Sequence, residues 1–158
     1  MKTATVREIK IELKEKTVTE LIELCLTLSK FKKENKELLT YLLYERENEA
    51  SYIESVKEDI NLEFEELRDY TIYWTNKKVR KALRNAKKYI RYSKNSETEV
   101  ELLLFFCSEL KILIDELYST RVLENILNKQ IEFIEKKVLK LHEDLQFDYN
   151  NIIKELKD

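Results

Sequence analysis

The sequence predicts an all-α protein, either a multi-helix bundle or a short right-handed αα stack (HEAT-like), with about seven to eight helices and no sheet. Its 158 residues include no glycine and no proline, although ordinary usage would give roughly nineteen. Without glycine, the tight turns that join antiparallel strands lose their usual residue. Apolar residues also recur three and four positions apart, which is the spacing of an amphipathic helix.

The composition favours a folded chain with a hydrophobic core. Apolar residues make up 43% of the sequence and charged residues 38%, whereas disordered chains lack the apolar groups that offset the ordering entropy. No linker, low-complexity stretch or internal repeat divides the chain. We therefore expect a single all-helical domain over residues 1–158.

The first three helices are predicted from short apolar patterns. The first covers about Val6–Glu15. The second begins at a capping box, in which Thr17 and Glu20 satisfy each other's backbone amides. After a lysine-rich turn over 30–36, a third segment carries leucines at positions 38, 39, 42 and 43. The predicted buried face of the second helix comprises Leu21, Leu24, Cys25 and Leu28.

The fourth and fifth helices follow a clearer pattern. Asn48 is a suitable residue to start the fourth helix, and the pattern breaks near residues 69–75, where we expect a turn. The fifth helix then runs to about Tyr92. The predicted core stripes are Ile53, Val56, Ile60, Phe64 and Leu67 on the fourth helix, and Val79, Leu83, Ala86 and Ile90 on the fifth.

The sixth helix, Thr98–Leu117, is apolar nearly all round, which predicts a central position in the fold. Ser96 and Glu99 form a second capping-box pattern at its start. The seventh helix approaches a heptad repeat, and the segment Tyr149–Leu156 is either its continuation or a further helix. The predicted core stripe of the seventh helix comprises Leu123, Leu127, Ile131, Ile134, Val138, Leu141 and Leu145.

No residue pattern points to catalysis, a metal or a cofactor. Phosphate-binding loops and nucleophile elbows need glycine, and His142, the one histidine, fits an exposed position near a helix end. A carboxylate-bridged metal pair needs a Glu-x-x-His motif on two helices, but Leu139 stands three residues before His142. Cys25 and Cys107 are predicted to be free, buried thiols. With no signal peptide and no membrane span, we expect a cytoplasmic protein.

Charge is segregated along the middle of the chain. Residues 45–69 hold ten acids against three basic residues, a net charge of −7, whereas residues 70–96 hold nine basic residues and no acid. On a helical projection, five of these cations form one stripe opposite the apolar stripe of the fifth helix. We call this stripe the basic ridge; it consists of Lys77, Lys81, Arg84, Lys88 and Arg91.

Three uses of the basic ridge are open at the level of sequence. It can neutralise the acids of the fourth helix, dock an acidic protein partner, or bind the phosphate backbone of RNA or DNA without sequence preference. Trp74 and Tyr92, near its two ends, can offer ring faces to bases. The sequence pI of about 5.7 disfavours a dedicated nucleic-acid binder. We therefore predict a non-catalytic interaction or scaffold module that contacts an acidic partner, with nucleic acid as the alternative.

Overall fold

The fold is all-α, as predicted, in a computed structural model that describes residues 1–117 and 119–158. Helices account for 83% of the chain, and no strand occurs among the described residues. One π-helical turn, Tyr41–Glu45, interrupts the series. The α-helices are α1 (Val6–Lys14), α2 (Val18–Phe31), α3 (Lys33–Thr40), α4 (Glu49–Leu67), α5 (Ile72–Ser93), α6 (Ser96–Glu116), α7 (Arg121–Val138) and α8 (Glu143–Lys157).

The helices group into two compact units, Met1–Tyr44 and Glu45–Asp158. In the first unit, α2 packs against α3. The predicted capping box of α2 is present: the Glu20 amide donates to Thr17 Oγ1 at 3.3 Å, and the Thr17 amide donates to Glu20 Oε2 at 2.8 Å. These bonds from Thr17 lower the pKa of Glu20. Only Tyr41 is buried in residues 1–44, so this unit has almost no core of its own.

The second unit is built around α6, which contacts α4, α5, α7 and α8. Most α6 side chains are apolar, and Leu102, Leu103, Leu104, Phe106 and Leu110 are all buried. The central position predicted from the sequence is therefore confirmed. The whole predicted core stripe of α4 is also buried.

Aromatic packing joins α4 to α6 at the middle of this core. The Phe64 and Phe106 rings meet edge to face, with their centroids 5.4 Å apart and their planes 69° apart. This arrangement places the positive edge of one ring against the negative face of the other. The contact therefore adds a directional interaction to the burial of apolar surface.

Three predictions about the helices need correction. Cys25 is exposed, because the α2 face that carries it is only partly covered by α3. The N-cap of α6 is Asn95, whose Oδ1 accepts from the Glu97 amide at 2.9 Å, so Ser96 is already the first helical residue. The seventh helix ends at Val138 and does not continue to Leu145.

In the break after α7, the side chains of His142 and Gln146 form hydrogen bonds with the backbone. Gln146 Nε2 donates to the Leu141 carbonyl at 2.8 Å, and His142 is the N-cap of α8. These groups satisfy backbone atoms that a continuous helix would pair internally. Leu141 and Leu145 are consequently half-buried, and residues 143–157 form a separate helix. The prediction of a single domain and the choice between a bundle and a right-handed stack stay predictions.

Candidate interaction surface on helix α5

The sequence of α5 gives the helix one apolar side and one basic side. Thr75, Val79, Ala82, Ala86 and Ile90 are buried at spacings of three and four residues, so this side faces the core. Leu83, which the sequence assigned to the core, is half-buried, because the centre of the buried side falls closer to Ala82. The helix ends at Ser93, and its C-cap residue Lys94 adopts the left-handed conformation with a φ of 58°.

The basic ridge lies on the other side of α5, as the projection predicts. Lys77, Lys81, Arg84 and Arg91 are exposed, and Lys88 is half-buried. The Lys88 ammonium lies 4.5 Å from the centroid of the Tyr89 ring. No ion pair between described residues involves Lys77, Lys81, Arg84 or Arg91. These four cations are therefore available to an anionic partner.

The acids of α4 meet α5 at its flank. Glu66 forms an ion pair with Lys78 across 3.7 Å, and Glu63 accepts from Asn85 Nδ2 at 2.5 Å. The Tyr70 hydroxyl, by its hydrogen bond, and then Glu66 raise the pKa of Lys78. The ion pair between α4 and α5 therefore uses Lys78, which is not part of the basic ridge. Arg80 and Lys87, which lie on α5 outside the basic ridge, form no ion pair with α4 among the described residues.

Of the two aromatic residues predicted beside the ridge, the structure exposes one. Trp74 is 47% exposed, and the Lys77 ammonium lies 5.1 Å from its ring centroid. Tyr92 is only 8% exposed, so its ring face is not offered to a ligand. It lies in the last turn of α5, where the chain turns towards α6, and its ring meets that of Tyr89 edge to face. Helical periodicity alone does not account for burial at such a chain reversal.

A second basic and aromatic group lies beside α5 and was missed from the sequence. Phe133 of α7 is 36% exposed, and the ammonium groups of Lys87 and Lys137 lie 5.8 and 5.0 Å from its ring centroid. Lys137 also forms an ion pair with Glu99 across 2.5 Å. The sequence signal that could have identified this group is the position of Phe133 outside the apolar stripe of α7. This second group, with Lys87 and Lys137 beside the Phe133 ring, extends the cationic surface from α5 towards α7.

No group of three or more potential metal ligands occurs among residues 1–117 and 119–158. Burial raises the pKa of the Cys107 thiol to about 12, which suppresses its nucleophilic form. His142 is exposed at the start of α8, with its Nδ1 accepting from the Asp144 amide at 3.4 Å. None of the described helices has the length and hydropathy to cross a membrane.

The fold and this surface define a class only: an all-α protein that presents a cationic helix face beside exposed aromatic rings. No family model, curated protein or solved structure matches the chain.

Proposed function

We propose that this chain is a non-catalytic interaction module, and that its basic ridge binds an acidic protein partner. The observation that carries the proposal is the exposure of Lys77, Lys81, Arg84 and Arg91 on one helix face, outside the ion pairs that link α4 to α5. Exposed cations that form no ion pair within the chain contribute little to its folding stability. It does accelerate association with a surface of opposite charge.

The charge of the surroundings favours a compact acidic protein surface over a nucleic acid. The chain carries a formal net charge of −2, and residues 45–69 next to α5 carry a net charge of −7. A long polyanion that follows the ridge would also approach these acids. An acidic protein segment can match the ridge, which spans roughly 21 Å between Lys77 and Arg91 at 1.5 Å per residue, without extending over α4.

Trp74 supports a protein partner as well. Trp and Arg are enriched among the residues that contribute most to protein–protein binding, and Trp74 lies exposed at the start of the ridge, beside Lys77. Nucleic acid is the second candidate, since the same ring can stack on a base and the same cations can neutralise phosphates.

The test is a triple substitution of ridge cations, Lys81→Gln, Arg84→Gln and Lys88→Gln. We expect the melting temperature to stay within about 2 °C of the wild type, because glutamine is as good a helix former and surface ion pairs contribute roughly 0–1 kcal/mol. In a pull-down from nuclease-treated lysate, partners held by the ridge should be lost. If the ridge only neutralised α4, the triple variant would lose stability and keep its partners, which would contradict the proposal.

A matched control removes three exposed lysines from other helices: Lys129→Gln, Lys136→Gln and Lys154→Gln. This variant has the same net charge as the ridge variant, so a loss of binding in both would indicate non-specific electrostatics. A labelled single-stranded oligonucleotide distinguishes the second candidate. If nucleic acid is the ligand, the slope of log affinity against log salt falls by roughly 0.7 to 0.9 for each phosphate contact that the ridge variant loses.

A further inference from the structure

Helix α4 presents an acidic face beside the basic ridge of α5. Leu62, which is 58% exposed, has exposed acids three and four residues before and after it in the sequence. On a helical projection these residues share one side of the helix. We call this side the acidic face; it consists of Glu58, Asp59, Leu62, Glu65 and Glu66. The side chains of Glu58 and Asp59 form no hydrogen bond or ion pair among the described residues.

The acidic face and the basic ridge lie on the same side of the second unit. Helices α4 and α5 are antiparallel neighbours: Glu66 pairs with Lys78 across 3.7 Å near the turn that joins them. Further from this turn, the Tyr52 hydroxyl donates to the Tyr89 carbonyl at 2.9 Å. Both helices also pack on α6. Each charged face is opposite the buried side of its own helix, so both faces point away from α6.

The two faces are complementary to each other under a two-fold rotation. The contacts between α4 and α5 place Leu62 at the height of the ridge between Lys81 and Arg84. Consider a two-fold axis that is parallel to both helices and lies outside their charged side. It would carry α4 of one copy over α5 of the other and keep every residue at its own height. Glu58 of each copy would then lie opposite Arg84 of the other, and Glu65 opposite Lys81, since a two-fold interface forms every contact twice.

This arrangement of charge favours a second copy over an unrelated acidic protein. A broad acidic surface that covers the ridge would also approach residues 45–69, whose net charge is −7, and like charges across an interface oppose association. A second copy presents cations at that position instead. Leu62 is suited to the same contact, because the aliphatic stems of lysine and arginine pack on apolar side chains while their charged ends reach the surrounding carboxylates.

We propose that the acidic partner of the basic ridge is a second copy of this chain, bound through a two-fold symmetric interface in which the ridge of each copy meets the acidic face of the other. The inference rests on the proposed function, since it names the partner of the same ridge. Lys81, Arg84, Glu58 and Asp59 are available for it, because none of them forms an ion pair within the described chain.

The first test measures the mass of the full chain by light scattering and sedimentation velocity across the micromolar range. At low salt the wild type should approach twice the monomer mass of 19.2 kDa. In about 1 M sodium chloride it should return to the monomer mass, because the screening length falls to roughly 3 Å. A dimer that persists unchanged in this salt would contradict the proposal. A monomeric wild type would overturn it as well, but would leave the proposed function standing if the triple ridge variant still lost a partner from lysate.

The second test reverses the charges of one face at a time. Glu58→Lys with Glu65→Lys reverses the acidic face, and Lys81→Glu with Arg84→Glu reverses the ridge. Each double variant alone should dissociate roughly a hundredfold more readily, because like charges then face each other in both halves of the interface. An equimolar mixture of the two variants should form a heterodimer, in which both halves again pair opposite charges.

The control for this test reverses two exposed acids on other helices, Glu132→Lys on α7 and Glu155→Lys on α8. It changes the net charge as much as the acidic-face variant does and should leave the dimer intact. Circular dichroism should show the same helix content for all variants, since each changed side chain is exposed. If the mixture associates no better than either variant alone, the ridge and the acidic face do not meet in the dimer and the proposal is wrong.

Discussion

Replacement of Phe106 by alanine tests whether α6 is the centre of the second unit. Phe106 has no exposed surface and meets the Phe64 ring at a centroid distance of 5.4 Å. Truncation of a buried phenylalanine costs about 3–5 kcal/mol, the sum of lost burial and the cavity left behind. The edge-to-face contact contributes roughly 0.5–1.5 kcal/mol of this total. We therefore expect Phe106→Ala to lower the free energy of unfolding by about 4 kcal/mol.

The assay is urea denaturation followed by circular dichroism, for Phe106→Ala, Phe64→Leu and the two combined. The double-mutant cycle should give a coupling energy of roughly 0.5–1.5 kcal/mol between the two rings. Ile112→Ala is the control on the same helix, since Ile112 is 42% exposed and should cost less than about 1 kcal/mol. A loss below about 1 kcal/mol for Phe106→Ala would refute the reasoning, because truncation of a fully buried phenylalanine costs about 3–5 kcal/mol.

Two further predictions concern ionisable groups. With a thiol reagent at pH 8, Cys25 should react quickly and Cys107 only after denaturation. Cys25 is exposed, whereas a pKa of about 12 leaves roughly one Cys107 side chain in ten thousand as the reactive thiolate. Two fast-reacting thiols per chain would contradict this prediction. Burial raises the pKa of Glu109 above its ordinary 4.5, so its ionised form opposes folding, and the contribution of Glu109 to stability falls as the pH rises above 4.5. Glu109→Gln should therefore unfold at higher urea than the wild type at pH 7, with the difference vanishing below pH 4.5; an equal difference at both pH values would exclude titration of Glu109 as the cause.

Helical periodicity was sufficient to predict most of the core of the second unit. The stripe on α4 and most of that on α7 are buried because each helix has close neighbours that cover its apolar side. The exposure of most of the basic ridge followed from the same periodicity, since the side opposite a buried stripe faces the solvent. In these places a local pattern and the tertiary contacts require the same orientation.

The residues whose burial or capping role was predicted wrongly show which information a helical pattern lacks. The apolar face of α2 indicates which side is suited to burial, but not whether another element covers it, and Cys25 is therefore exposed. Asn95 and Ser96 are both good N-caps, and the spacing alone does not choose between them. The break before α8 uses His142 and Gln146 in place of glycine or proline, so the heptad appeared continuous.

The central position of α6 has a consequence for synthesis of the chain on the ribosome. Helices α4 and α5 precede α6, but α7 and α8 lie within the 42 residues from 117 to 158 that follow it. At 5–20 residues per second, roughly two to eight seconds separate completion of α6 from completion of these residues. Throughout that interval the nascent chain holds an apolar helix with part of its cover missing. Chaperone binding to this intermediate should therefore centre on α6 and end once α7 has docked.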